Sequence, residues 1–487
     1  MMKRILTLFL LAACLLSCTV PQKEVKLPES LEDLEGHTVA VVGGSSTEIL
    51  ISQYPGVEVI RIGLGELAIA VQSGQAEYGM MQEVQFDANH LEEKGLKKCL
   101  TGYQKGVSGL AFRLDDTLHC QLFNRFLEEF KESGEYDRWN HDWIHRADSM
   151  SLAMCPAPEE GEEYPVGITL SFPFVFLTDD AVSGMEIDLM NRFCAQNGLC
   201  PEYQVVEFPA LIPSLTAGKI DVVLSHLQIT EERARQVLFS EPYYEGAACC
   251  FCRDPEAPAP KRSLTQALKD SVKANLLDND HWKILLDGLL VTLEISIFAL
   301  LLAILLGIIF CYFRMRRSRW ISGFMKIFTD TIRGIPVLVI LMIMFYVVFA
   351  KSKVTGTLIA VCSFGLFYGA GFSELFRSGM LSVDKGQWEA GAALGLHKLQ
   401  VFRLIVLPQA LRQIIPVFKG EVISLVKSTS VVGYVAVIDL TFAGSIIRSR
   451  TFDAFFPFIL VSLIYILLSR IIGHALDALE RSVNKTK

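Results

Sequence analysis

The first chemistry these residues offer is anion binding. Val39-Ala40-Val41-Val42 reads as an apolar strand ending in Gly43-Gly44-Ser45-Ser46-Thr47, a turn that opens a helix at Thr47 or Glu48. Such a turn presents free backbone amides to an anion. No G-x-x-x-x-G-K-[ST] phosphate loop occurs in the chain, so it is not read as an ATPase. Of twelve cysteines, Cys249-Cys250-x-Cys252 fall on a predicted strand at a spacing that matches no zinc pattern. They read as buried thiols, with no metal and no cofactor assigned. Glu294, Glu421, Lys427 and Asp439 lie in strongly apolar stretches. Charges there are costly in lipid and are expected to face the interior of a helix bundle, where they either line a path or pair structurally.

The elements that position these groups divide the 487 residues into two halves. Up to about residue 280 strands and helices alternate: a strand at 57–60, an amphipathic helix at 66–74 and a short strand at 78–81 follow the turn. This predicts an open, mainly parallel sheet with ligands at the carboxyl ends of its strands. From residue 284 onward long apolar runs at 295–313, 335–350, 354–375, 422–440 and 454–472 predict about five membrane helices. The first ends in Arg314-Met315-Arg316-Arg317-Ser318-Arg319, which the positive-inside rule places in the cytoplasm. Residues 385–412 and the Lys487 end then lie inside and the α/β half outside. Lys3 and Arg4 before the apolar run 5–16 have the pattern of an export signal, and Leu15-Leu16-Ser17-Cys18 resembles the lipobox of bacterial lipoproteins, which implies acylation of Cys18; an uncleaved anchor is the alternative, and either exports the following domain. Net charge is -8 without a long Lys/Arg run, which argues against a nucleic-acid partner.

The α/β half resembles the bilobed solute-binding proteins of polar amino-acid ABC transporters. The likeness to the second lobe runs through Leu34-Glu35-Gly36-His37-Thr38-Val39-Ala40-Val41, Gly109-Leu110-Ala111-Phe112 and Ser133-Gly134-Glu135-Tyr136 with Trp139. The first lobe follows in Val166-Gly167-Ile168, Gly184-Met185-Glu186-Ile187-Asp188-Leu189, Gly218-Lys219-Ile220-Asp221 and Phe239-Ser240-Glu241-Pro242-Tyr243-Tyr244. The family has these lobes in the opposite order. The two halves together supply one binding protein of roughly 220 residues, and a circular permutation is inferred. The expected organisation is a signal at 1–18, second-lobe part with terminal helices at 25–148, linker at 149–163, first-lobe part at 164–255, tether at 256–280 and permease at 281–480. The expected fold is thus an α/β bilobed, periplasmic-binding-protein-like domain of type II, circularly permuted, followed by an all-α transmembrane domain.

The resemblance implies a ligand site. Arg233 stands where the family clamps an α-carboxylate, a task suited to the planar guanidinium. Phe172 and Phe208 match the aromatic sandwich, and Ser45, Ser46 and Thr47 match the loop that closes over the carboxylate. Ser225 and Gln228 belong to the segment before the Arg, where His226 and Gln228 replace a small residue and a Thr. Gln82, with Glu83 beside it, aligns with the family's ammonium-binding Asp. Thr169 replaces a frequent acid, which argues against a cationic amino acid.

The membrane half resembles the permeases of the same transporters. Glu389-Ala390-Gly391, Gly395, Ile405 and Leu407-Pro408 fall at the spacing of the cytoplasmic loop that docks on the ATPase, departing in Gly391 where Ala is usual. The flanks Arg333-Gly334-Ile335-Pro336 and Gly420-Glu421-Val422 also fit. The resemblance implies separate ABC ATPase subunits, a permease homodimer, an inner-membrane location, and import of a small polar solute, an amino acid above all. Rival readings are a ligand-gated ion channel, for which Val432-Gly433-Tyr434 is the one faint signal, and a solute sensor.

Overall fold

Successive residues of Thr38–Val42 (β1) face opposite sides of a sheet. Ala40 packs with Leu67, Val71, Phe86 and Phe251 on one face, and Val39 and Val41 pack with Tyr78, Met80 and Cys250 on the other. The computed structural model describes residues 27–146, 154–178, 182–255, 271–277, 280–350, 354–451 and 456–484, with single residues 269, 352 and 453. The predicted export signal with Cys18, part of the 149–163 linker and most of the 256–280 tether lie outside them. Two compact units result, one of residues up to Asp280 with Ile446–Ala454, the other of His281–Ser445 with Phe455–Lys487.

In the first unit, β1 is followed by α1 (Ser46–Ile51), β2 (Glu58–Ile62), α2 (Leu64–Ser73), β3 (Tyr78–Gln82), α3 (Glu83–Ala88), β4 (Leu96–Ser108), β5 (Ala111–Phe112), α4 (Thr117–Glu132) and α5 (Glu135–Arg146). Then come β6 (Glu162–Ile168), β7 (Phe176–Leu177), β8 (Val182–Ser183), α6 (Met185–Asn197), β9 (Leu199–Val205), α7 (Leu211–Thr216), β10 (Val222–Leu224), α8 (Glu231–Ala234), β11 (Leu238–Phe239) and β12 (Tyr244–Arg253). One sheet has the order β2-β1-β3-β12-β4 and forms the leading lobe; the other, β11-β5-β10-β6-β9, forms the trailing lobe.

The last strand of the unit returns to the first sheet. β12, last in sequence, lies between β3 and β4 and is antiparallel to both. The end of the unit thereby completes the sheet begun by its first residues. Conversely α5 serves the trailing lobe, where Trp139 Nε1 donates to Asp188 Oδ2 at 2.6 Å and Arg192 Nε donates to the same oxygen at 3.1 Å. The chain crosses between lobes twice, from β4 to β5 and from β11 to β12. Cys249, Cys250 and Cys252 are buried free thiols, as read from the sequence. Close packing over Gly79, where an added Cβ would lie 2.4 Å from the Phe251 ring, leaves no room there for a larger residue.

The second unit is all-helical: α9 (His281–Arg314), α10 (Arg319–Gly334), α11 (Val337–Ile343), α12 (Gly356–Leu381), α13 (Lys385–Ala393), α14 (Lys398–Val401), α15 (Leu407–Ser428), the first half of α16 (Leu440–Thr451), whose residues from Ile446 belong to the first unit, and α17 (Phe456–Asn484). Among the described residues four helices are long and apolar enough to cross a membrane, or five if the bent pair of Arg319–Gly334 and Val337–Val348 is one span. α9 and α12 approach closely at Gly307 and Gly369, where an added Cβ would meet Phe372 at 2.7 Å and Leu306 at 2.8 Å.

Several boundaries differ from the hydropathy reading. α9 begins well before residue 295, because a hydropathy window registers the apolar stretch and not the polar helical turns that precede it. The second span bends by 104° at Ile335-Pro336, where Pro lacks an amide hydrogen for the ladder. The fourth starts earlier than 422 and gives way to a 3-10 segment, Thr429–Val435, before Ala436 turns at φ +58°. The expectation that four charges face the bundle interior is also corrected. Asp439 is fully buried and caps α16 through Thr441 N and Phe442 N, Glu421 is half-buried, and Glu294 and Lys427 are exposed on the single chain.

Candidate functional site

Arg233 is placed by a short, capped turn. β10 ends at Leu224, the chain passes through Ser225–Gln228, and Thr230 Oγ1 accepts from Arg233 N at 3.3 Å to start α8. Arg233 is 7% exposed. Nη1 donates to the Gln228 carbonyl oxygen at 2.8 Å, Nη2 donates to the Gly44 carbonyl oxygen at 2.5 Å, and Cζ lies 5.7 Å from the centre of the Phe208 ring. Its contact with Gly44 joins the trailing lobe to the leading one. Burial lowers its pKa, with Glu232 opposing. Among the described residues no carboxylate lies within 4.0 Å of it, so a desolvated cation is held by main-chain carbonyl dipoles and the face of Phe208.

Opposite stands the turn after β1. Gly44 adopts φ +77°, a conformation that favours glycine. Ser45 caps α1, its Oγ accepting from Glu48 N at 3.2 Å and lying 2.8 Å from Thr47 Oγ1. The amide of Gly44 is already taken by Glu48 Oε2 at 2.6 Å, which leaves Ser46 and Thr47, both buried, to offer the first-turn amides.

β3 runs parallel to β1, so Gln82 ends on the same sheet edge as this turn. Gln82 is 6% exposed and its Oε1 has no hydrogen-bond partner; Gln228 Nε2 likewise has none. Gln85, one helical turn after Gln82, donates from Nε2 to Ser171 Oγ at 2.6 Å, bringing the leading lobe against the turn that carries Phe172. Phe172 packs on Phe176, ring centres 5.0 Å apart. The structure thus gathers Arg233, Phe208, Gln228 and Gly44 directly; Gln82 shares the sheet edge of the Gly44–Thr47 turn, and Phe172 follows Ser171, which Gln85 holds. Glu83 is drawn elsewhere: its Oε1 accepts from Gly102 N at 2.5 Å.

A buried polar cluster beneath this site was not singled out in the sequence. Glu186, in the first turn of α6, accepts from His226 N at 2.7 Å and from the Tyr243 hydroxyl. Burial pushes its carboxyl up to about 7 against those hydrogen bonds. His226 holds φ +47°, stacks on Phe174 at 4.0 Å and places Nδ1 3.0 Å from Ser108 Oγ; burial lowers its imidazole to about 3. Ser108 ends β4 and Tyr243 precedes β12, so the cluster sits at the two lobe crossings. Its only sequence signals were the acid inside Gly184-Met185-Glu186 and the unusual His226.

In the helical unit α13 starts at Asp384, whose Oδ1 accepts from Gly386 N at 2.6 Å, and ends before Gly395 at φ +75°. Gly391 is buried; an added Cβ would lie 2.8 Å from a Val401 methyl and 3.1 Å from Ile405. Glu389 and Ala390 are exposed, and beside them Leu394 and Leu399 are 77% and 74% exposed.

Residues 299–485 match the family of binding-protein-dependent transport system inner membrane components, and residues 165–337 match the bacterial extracellular solute-binding proteins, family 3. The second match begins within β6 and takes no part of the leading residues 34–139. A putative glutamine transport system permease protein of Rickettsia bellii is 30% identical over 201 residues, 41% of this chain and 92% of that protein. A probable glutamine ABC transporter permease protein of Bacillus subtilis is 34% identical over 207 residues, 41% of this chain and 94% of its own. The L-cystine transport system permease protein of Bacillus subtilis is 32% identical over 222 residues, 45% and 94% of the respective chains. The crystal structure of an amino acid ABC transporter with histidines shares 25% identity at a TM-score of 0.39, covering 46% of this chain and 99% of that one.

Proposed function

Because this chain belongs to the binding-protein-dependent transport inner membrane components and carries a family 3 solute-binding domain, we propose that it is receptor and permease in one for the ATP-driven import of an amino acid or a close relative. The observation that carries this reading is the buried guanidinium of Arg233 facing the Gly44–Thr47 turn with no carboxylate of its own. An α-carboxylate supplies the missing charge and accepts the first-turn amides of Ser46 and Thr47. Phe208, already against the guanidinium, and Phe172 offer apolar faces to the rest of the solute. Closure of the lobes about the β4–β5 and β11–β12 crossings then traps it.

The stroke comes from separate ATPase subunits that dock on α13 and its neighbours. Exposed Leu394 and Leu399 beside exposed Glu389 form the apolar and charged surface such a partner covers. A second copy of the chain completes the permease: Glu294 and Lys427, exposed on one chain in helices of membrane length, need a polar surface opposite them. The binding domain faces outward, since the basic cluster after α9 favours the cytoplasm, and an export signal with acylation at Cys18 fits the same orientation.

Uptake of labelled amino acids into vesicles containing this chain and its ATPase tests the reading. Uptake that requires ATP supports it. Solute-gated ion current without ATP supports a channel instead, and binding with neither flux supports a sensor.

A further inference from the structure

We propose that the cleft prefers a carboxylate of net charge -1 over a neutral zwitterion, and that Gln82 sets this preference; the inference deepens the amino-acid reading above and rests on it. A zwitterion brings one negative and one positive group into a desolvated site, and each needs an opposite charge there. The negative group has Arg233. For the positive group, the end of β3 on the same sheet edge as the Gly44–Thr47 turn carries the neutral amide of Gln82, whose buried Oε1 lacks a donor among the described residues. A carbonyl oxygen accepts from a hydroxyl, an amide N–H or an ammonium, but it does not neutralise the last of these.

The acids around the site are solvent-exposed, committed or too deep to compensate: Glu232, which acts on Arg233, is exposed on α8. Glu48 pairs with Arg61 and accepts from Gly44 N. Glu83 accepts from Gly102 N, a main-chain donor on β4. Glu186 is fully buried among Tyr243, His226 and Ser225. Glu207, beside Phe208, has its carboxyl raised by burial, so its charged form is disfavoured. Thr169, at the end of β6, is neutral and spends its hydroxyl on the Val206 carbonyl oxygen at 2.7 Å. With Arg233 uncompensated, the closed cleft carries an excess positive charge that a monoanion cancels and a zwitterion does not. Two kinds of solute share this chemistry: acidic amino acids, and carboxylates whose ammonium is replaced by a hydroxyl or acylated nitrogen. Gln82 Oε1 and Gln228 Nε2 offer an acceptor and a donor to the uncharged part of either.

The test is isothermal titration of the purified full-length chain at pH 7 with L-glutamine, L-glutamate, N-acetyl-L-glutamine and the 2-hydroxy analogue of glutamine. At least one monoanion is expected to bind tenfold or more tighter than L-glutamine. Gln82→Glu, which restores a carboxylate, is expected to reverse that order, and Gln82→Asn to preserve it. L-Glutamine binding as tightly as every monoanion overturns the charge argument while leaving the amino-acid reading intact. If none of the four binds, the amino-acid reading itself falls and this inference with it. The acetyl and hydroxy arms separate the two kinds of solute. The wild-type ranking stands even where a Gln82 variant does not fold.

Discussion

Gln85 Nε2 donates to Ser171 Oγ at 2.6 Å, a buried contact between the helix after β3 in one lobe and the turn after β6 in the other. It forms only when the lobes are together. Its net worth is about 1 kcal/mol, a factor of about five in an equilibrium. Gln85→Ala and Ser171→Ala are therefore each expected to weaken solute binding by about fivefold through the closing step. The double variant should lose little more than either alone, because both remove one contact. Fully additive losses in titration calorimetry would show that the two residues act separately.

Arg233 separates charge from geometry. Arg233→Lys keeps the cation but loses the planar fork and the reach to both Gln228 and Gly44 carbonyl oxygens. Affinity is expected to fall by about tenfold to a hundredfold in Arg233→Lys and further in Arg233→Ala, about 3 kcal/mol or more in the latter. Calorimetry on both variants checks the order, and equal losses would mean that the charge contributes nothing beyond the fork.

Much of this arrangement was legible in the sequence because it follows short periodicities and fixed turn chemistry. Val39–Val42 is an unbroken apolar run, as a strand buried on both faces should be, Gly44 marks a turn of positive φ, and Thr230 three residues before Arg233 marks a cap. What could not be read was pairing between distant residues. Nothing in Gln85 or Ser171 announces a partner 86 positions away. His226 could be seen as a departure, but its stacking on Phe174 depends on two turns folding against each other. In the membrane half, hydropathy located the lipid-facing runs but not α10 or α16, whose polar residues lower any window average. It also could not tell that Glu294 and Lys427 lie on the outside of one chain, since burial is a property of the packed bundle.

The Glu186–His226 pair gives opposite pH slopes. Glu186 keeps its proton in the fold up to about pH 7, whereas an unfolded Glu releases it near 4.5. Its contribution is full below 4.5 and is lost as pH rises through about 7, on the order of 3 kcal/mol. His226 stays neutral in the fold down to about pH 3, whereas an unfolded His takes a proton near 6.5. Its contribution is full above 6.5 and is lost as pH falls through about 3. Between pH 4.5 and 6.5 the two slopes oppose, and the wild type is expected to be nearly flat there. Glu186→Gln should expose the His slope, losing stability on acidification below pH 6.5. His226→Gly, which accepts φ +47°, should expose the Glu slope, losing stability as pH rises from 4.5 to 7. Denaturation followed by fluorescence of Trp139 and Trp143, both in the trailing lobe, reads each slope; a flat Glu186→Gln profile would refute the assignment.

The loop at α13 permits a test in which binding and transport part company. Gly395 holds φ +75° with nothing within 4 Å of an added Cβ, so Gly395→Ala adds backbone strain without a clash, about 1 kcal/mol. Gly391→Val differs, because even a Cβ there lies 2.8 Å from Val401 and the α13–α14 packing must open. Glu389 is exposed and its removal disturbs neither. If α13 delivers the nucleotide-driven stroke, Glu389→Ala should cut ATP-dependent uptake by at least tenfold while leaving solute affinity and melting temperature unchanged. Gly395→Ala should reduce uptake less, and Gly391→Val should lower both uptake and the melting temperature. Solute affinity constant across all three variants, with uptake falling only where α13 is altered, is the pattern a coupling role requires. Unchanged uptake in Glu389→Ala together with normal uptake in Gly391→Val would remove α13 from the mechanism.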